Sequence, residues 1–575
     1  MHKIFIFFFT CCFVLSCTKK KDDNKVLNTL NWALTTSVST LDPAVSYDTV
    51  SSKVVSQIYE TLYEYDYLIR PYQITPLLAE DLPSISADGL KYTIKIKEGI
   101  SYHDSKAFAG KKRFVKSMDF VNELKRIAFK PTKSNGWWLF TDKIKGLDKF
   151  REIAKSDMSD FFTIPIEGLK TPNDQTLIIE LKQPYPQLQY ALAMSFTAPV
   201  PEEVIKFYNN DLNHESVGTG AFKFIHWNKN LDILLEKHSD YHKMLFPSKG
   251  DRLSFQQNLL EDRGKQLPFV EKIHFQIIKE AQTRWLKFLN KEIDVMVLSK
   301  DHFSVALDTT GQLNKEYLEK NIKLQIAPTL TYWWLAFNMN HKILGSNLML
   351  RKAIAHAVNI DEYILKFTNN IALKANSIYP PGVLGYSPAN ELPYQYDIKK
   401  AKEYLAKAGF PNGKGLPEFS YDVRGSSTTS RQMGEFIIKE LAAIGIKLNL
   451  NLNTFPGFLN KARTGQLEIW QGGWALDYPD PENVIQLLTT KNHSPGPNST
   501  FYSNKVVDEL YQKLFYTNDK DQALLITDKV QDLVNQDLPW VMQFYSRNYI
   551  LHQGYVKNFR QSDLINNNFK YLRIK

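Results

Sequence analysis

All three cysteines of this 575-residue chain stand at its start, at Cys11, Cys12 and Cys17. No cysteine follows, so the body beyond Cys17 forms no internal disulfide, and cysteine nucleophiles and thiolate metal sites are excluded from it. Ahead of Cys17 lie Lys3 and an apolar run from Ile4 to Leu15. That run is too short for a membrane span, which takes ~20 apolar residues, and has the length of an export signal. An exported body without disulfides must rest on a large core, and 43% hydrophobic residues over this length supply one. The length also predicts several domains. No later apolar run is long enough to span a membrane, so the body reads as soluble.

The formal net charge is +10 and the sequence pI about 9.0. Lys and Arg are scattered rather than gathered in one stripe, which argues against nucleic acid as a partner. A basic surface facing anionic lipid is the milder account. Val14-Leu15-Ser16-Cys17 resembles a bacterial lipobox, which implies cleavage before Cys17 and lipidation of its thiol. The polar run Thr18 to Lys25 suits a solvated tether leaving a membrane surface.

The stretch Gln471 to Val484 (QGGWALDYPDPENV) is the densest in chemistry. Gly472 and Gly473 let the chain pass close to another backbone or a ligand. Asp480-Pro481-Glu482 is a helix start, with a capping carboxylate, a proline suited to the first turn and an acid at the positive dipole end. Asp477 therefore falls just beyond a strand, in the turn before a helix, where ligands collect in open α/β sheets. Beside Trp474 it can hold a cation such as a peptide's α-amine. The plain alternative is an Asp that shapes a proline-rich turn. Arg424 likewise follows a strand, Phe419 to Val423, and is either a ligand group or a surface ion-pair residue.

Other motifs are weaker. His238 and His242 stand four apart without a third ligand and read as solvated, so no metal is expected. Val217 to Phe222 (VGTGAF) lacks the spacing of a nucleotide loop and reads as a glycine turn entering a strand. Trp333 and Trp334 belong either to a core or to a cleft. Residues Met244 to Pro268 read as a surface loop or lobe edge. Asp477 and Asp480 are paired acids, as in a glycoside hydrolase, but no nucleophile elbow or zincin motif supports catalysis.

Read in order, the chain resembles the extracytoplasmic solute-binding proteins of peptide ABC transporters. The residues that carry this are Leu41-Asp42-Pro43, the Pro76 to Leu82 segment, the Asp88-Gly89 hairpin and Tyr102-His103-Asp104-Ser105, where Ser105 replaces the family's glycine. They continue through the helix Met118 to Ile127, Gly218-Thr219-Gly220 and the segment Met349 to Val358. Tyr379-Pro380-Pro381-Gly382, Asp397 to Gly409, and Gly473-Trp474 through Asp477-Tyr478 to Asp480-Pro481 complete the set.

The resemblance implies a two-lobed α/β fold of the type II periplasmic-binding-protein kind with an additional inserted domain. It implies a signal peptide at 1–16, a lipidated tether at 17–26 and a first lobe from 27–75, 196–330 and 539–575. The inserted domain takes 76–195 and the second lobe 331–538, with hinge crossings near Pro328 and Pro539. It further implies peptides as ligand, with Asp477 on the α-amine, Arg424 on the carboxylate, and Gly473, Trp474 and Tyr478 around them. The expected partners are ABC permease subunits and the cell membrane, reached through Cys17; a monomer without cofactor, metal or catalytic activity is expected in the extracytoplasmic envelope. The same fold with an oligosaccharide, metal chelate or haem as ligand, or a signalling receptor, is the alternative.

Overall fold

The computed structural model describes residues 28–154, 157–308, 310–517 and 519–575. The leader, Cys17 and the tether lie outside these residues. Two long strands organise the molecule, Ile322–Phe337 and Trp540–Gln553, rich in the aromatic and β-branched residues that suit a pleated sheet. They pair antiparallel at the centre of an eleven-stranded sheet. On one side follow Ile469–Ala475, Phe419–Arg424 and Leu448–Asn453; on the other Val295–Val297, Thr29–Leu34, Lys272–Ile277, Asp232–Lys237 and Phe222–Asn228.

The two halves of this sheet carry separate cores, which makes the fold two-lobed. In the second lobe, Leu335, Phe337 and Ile437 pack on one face and Tyr332, Trp334 and Val530 on the other. In the first lobe, Leu30, Val54 and Phe275 form one cluster and Phe288, Met296 and Tyr317 another. The outgoing strand changes lobes where its ladder slips, between Pro328 and Tyr332. The returning strand does so around Ser546 and Arg547 rather than at Pro539. Trp540, Val541, Met542, Phe544 and Tyr545 still bury their side chains in the second lobe's cores, whereas Ile550 and Leu551 lie in those of the first.

The hairpin expected at Asp88-Gly89 belongs to a four-stranded antiparallel sheet of Ser84–Ile85, Lys91–Lys95, Thr176–Glu180 and Leu169–Asn173. The helix Ser117–Ala128 shares its core. From that helix the fully buried Arg126 reaches Asp42 at 2.5 Å and Glu123 at 2.8 Å. Asp42 also accepts the N–H of Ala44 at 2.9 Å. The Asp42-Pro43 turn is thus clamped to the inserted unit, and it delivers Tyr47 to the cleft. Ser105, where the family has glycine, accepts the N–H of Ala107 at 3.2 Å and opens a short 3-10 turn.

Met244 to Pro268 is fastened rather than loose. Asp251 pairs with Arg560 at 2.6 Å, and Asp262 takes Arg573 at 2.7 Å and Asn558 at 2.8 Å. Phe246, Leu259 and Leu267 share a cluster with Tyr67 and Tyr571. Nor are the two histidines solvated. His242 sits 3.0 Å from the buried carboxylate of Glu60, and His238 meets the ring of His103 edge-on at 4.6 Å. Burial favours the neutral form of His103, taking it to about 3. Sequence spacing makes the pair look like a helical face; a buried acid from another segment decides its use.

Candidate functional site

Strand Ile469–Ala475 leaves the sheet at Leu476, whose N–H donates to the carbonyl of Leu330 at 3.1 Å. Leu330 lies in the slipped part of the outgoing strand, and its own N–H donates to Asp563 at 3.0 Å. Asp477 comes next. Its N–H donates to the side-chain oxygen of Asn483 at 3.3 Å, and the indole of Trp474 donates to that same oxygen at 2.9 Å. Asn483 is fully buried and fixes both residues; nothing in the sequence points to it beyond its place after Asp480-Pro481-Glu482. Asp480 accepts the N–H of Glu482 at 2.8 Å, as a capping carboxylate should, though the α-helix is only Glu482–Ile485.

Burial raises Asp477 to about 6, against a lowering by Asn483, with the charge of Glu482 adding to the rise. No lysine or arginine stands within ion-pair reach of it among the described residues. Arg424 ends the strand Phe419–Arg424. Its guanidinium donates to the carbonyl of Gly473 at 2.9 Å and lies 5.3 Å from the rings of both Trp333 and Phe458. It also has no ion-pair partner among the described residues, its buried Nε has no hydrogen-bond partner, and burial lowers it to about 10.

The two glycines serve the tryptophans. A Cβ on Gly473 would stand 2.5 Å from the ring of Trp333, and one on Gly472 would overlap Nε1 of Trp334. The close approach expected from the sequence is present, and the partner is the neighbouring strand's side chains. Trp333 is held by Ser546 at 3.0 Å, and Trp334 packs on Trp540 at 4.4 Å.

A cavity of ≈ 470 Å³ brings Asp477, Arg424, Gly473 and Trp474 together with Trp334 and Phe458. A second, of ≈ 230 Å³, has Asp477 at its edge and is lined by Glu60, Tyr65, Trp138 and Asp563 from the first lobe and the inserted unit. Tyr47 and Asp477 line both, so the two form one cleft with a constriction. Tyr478 lies outside both. Its ring stacks on Tyr190 at 5.5 Å, and its hydroxyl donates to Glu482 at 2.7 Å. Tyr47, Asp563 and Glu60 are site residues that sequence reading missed. Tyr47 and Glu60 flank the helix Thr49–Ile58 and Asp563 comes from near the C-terminus, and none sits in a motif of its own chemistry. Among the described residues, no group of three or more His, Cys, Asp and Glu is placed to hold a metal ion.

A two-lobed α/β molecule whose strands run from lobe to lobe beside a cleft with opposite charges has the architecture of a solute-binding protein. The family model for bacterial extracellular solute-binding proteins, family 5 (Middle), matches residues 73–496, and the chain belongs to that family. It is similar to the glutathione-binding protein GsiB of Escherichia coli O6:K15:H31, at 24% identity over 519 residues, covering 88% of this chain and 87% of that one. Among solved structures it is similar to the periplasmic binding protein DppA of Helicobacter pylori in complex with the peptide STSA. That likeness has a TM-score of 0.66 and 26% identity, covering 95% of this chain and 98% of the other. HbpA2 of Haemophilus parasuis shares the fold with a TM-score of 0.79 and 22% identity, over 95% of this chain and all of that one (100%).

Proposed function

We propose that the protein captures short peptides between its lobes and delivers them to the permease of an ABC transporter. The observation that supports this best is that Asp477 and Arg424 line one cavity, oppositely charged and each without an ion-pair partner among the described residues. A peptide zwitterion supplies both missing partners: its α-amine for Asp477, its carboxylate for Arg424. Trp333 and Phe458 beside the guanidinium keep that end dry and strengthen the pair. The peptide names carried by solved relatives agree with this chemistry. So does the glutathione named for curated relatives, itself a peptide with an α-amine and carboxylates. An uncharged solute would leave both groups buried and idle, which disfavours an oligosaccharide.

In this reading the protein is a monomeric carrier without cofactor or catalytic role, held at the extracytoplasmic face of the membrane by lipid on Cys17. Cys17→Ala should then move it from the detergent phase to the aqueous phase in phase partitioning; unchanged partitioning refutes the anchor. The carrier reading is tested by native mass spectrometry of gently purified protein, followed by calorimetry with di- to pentapeptides and glutathione on wild type and Asp477→Ala. Deleting one partner of a buried charge pair costs about 2–5 kcal/mol, so affinity should fall at least about tenfold. Protein that binds none of these ligands overturns the proposal.

A further inference from the structure

The smaller cavity has a composition of its own. Among the described residues no lysine, arginine or histidine lines it, while Glu60, Glu64, Asp477 and Asp563 do. Two of these acids are already matched from behind the wall: Glu60 by His242 at 3.0 Å, Glu64 by Lys570 at 2.8 Å. Asp563 differs. Its hydrogen bonds are to neutral donors, the N–H of Leu330 at 3.0 Å and the amide of Gln561 at 3.5 Å, and among the described residues no cation stands within ion-pair distance of it. Lys53, the cation nearest in charge effect, instead rests against the rings of Trp32 and Phe569 at 5.2 and 5.5 Å and does not line the cavity.

The remaining walls suit a long apolar stem. Tyr47 and Trp138 present large exposed aromatic surface, 59% and 40% accessible, and Phe196 and Met194 stand beside them. A side chain with an aliphatic stem and a cationic head uses these features: stem on the aromatics, head on the unmatched carboxylate of Asp563.

Building on the peptide-carrier reading, we infer that this chamber selects ligands whose residue next to the α-amine carries a basic side chain, with Asp563 as the specificity-determining acceptor. Asp477 takes the α-amine at the constriction, and the side chain turns into the smaller cavity toward Asp563.

The test is calorimetry on the full-length protein with Lys-Ala, norleucyl-Ala and Ala-Ala, since norleucine keeps the stem of lysine and removes only its charge. Wild type should bind Lys-Ala about tenfold more tightly than norleucyl-Ala. Asp563→Asn, which keeps an oxygen for Leu330, should reduce that ratio to below about threefold, whatever it does to the affinity for both peptides together. Equal wild-type affinity for Lys-Ala and norleucyl-Ala overturns the inference while leaving the carrier reading standing, and this comparison needs no variant. A ratio that survives Asp563→Asn also overturns it. Failure to bind any peptide removes both readings.

Discussion

Tyr190 and Tyr478 stack with ring centroids 5.5 Å apart and planes within 2° of each other. One comes from the inserted unit, the other is the residue after Asp477, so the segment that carries Asp477 is docked onto a different unit through an aromatic pair. Such pairs contribute about 0.5–1.5 kcal/mol beyond their buried area. Tyr190→Ala should therefore lower the melting temperature and weaken peptide binding by about three- to tenfold, while Tyr190→Phe keeps both. Scanning calorimetry and peptide titration on the two variants check this; a Tyr190→Ala protein with wild-type affinity would show that the stack does not position Asp477.

Affinity should depend on pH through Asp477. In the empty protein burial holds its pKa up at about 6, and a ligand ammonium binds the carboxylate, not the neutral acid. Binding is then full above about pH 7 and falls toward tenfold per pH unit below 6. Arg424, lowered to about 10, stays charged throughout, and a peptide's own termini titrate outside this window, near 3.5 and 8. Titrations with one dipeptide between pH 5 and 7.5 should show the acid limb, and Asp477→Asn should flatten it. An affinity unchanged from pH 7 to pH 5 refutes the assignment.

Asp480 makes the opposite kind of prediction, about the fold. Burial and the charge of Glu482 raise it to about 7. The folded state therefore keeps a proton that the unfolded chain has already released, so the cost of this acid appears as pH rises above about 4 and is complete above 7. At ~1.4 kcal/mol for each pH unit between those two limits, that cost is on the order of a few kcal/mol. Asp480→Asn keeps an oxygen for the Glu482 N–H and removes the buried charge. The substitution should raise the melting temperature at pH 8, and raise it clearly less at pH 5. Denaturation at both pH values decides, and a lowered melting temperature at pH 8 would be the wrong sign.

Gly473→Ala should damage fold and site together. The added methyl would meet the ring of Trp333 at 2.5 Å, and overpacking of this kind costs about 1–3 kcal/mol. Trp333 is also the face on which Arg424 rests, and Gly473 supplies the carbonyl that Arg424 donates to. Lower thermal stability together with weaker binding of a peptide carboxylate is expected; an amidated peptide, which lacks that charge, should lose less.

Much of this is legible from residue order. The strand ahead of Arg424 and the turn that carries Asp477 follow local rules of alternation, capping and proline placement, and the structure has them at Phe419–Arg424 and after Ala475. What escapes is set by partners distant in sequence. His242 reads as solvated because Glu60, its counter-charge, lies in another segment. The glycines before Trp474 read as room for another backbone or a ligand, and the residue order does not tell that the tryptophans of the adjacent strand fill that room. Tyr478 is in the right motif, yet the ring it meets, Tyr190, is in the inserted unit, and no local pattern announces that contact. The resemblance implies a return crossing near Pro539, but the apolar residues just after it pack in the second lobe's cores.

The lobes are joined by two strands hydrogen-bonded to each other on both sides of the crossing, not by loose linkers. A ladder of this kind resists stretching and shear far more than flexure, so the lobes are left with essentially one soft coordinate, a fold about the place where the register slips. Leu330 stands at that crease, its carbonyl taken by the residue before Asp477 and its N–H by Asp563. A ligand that pulls on either acid therefore acts as a lever on the crease itself.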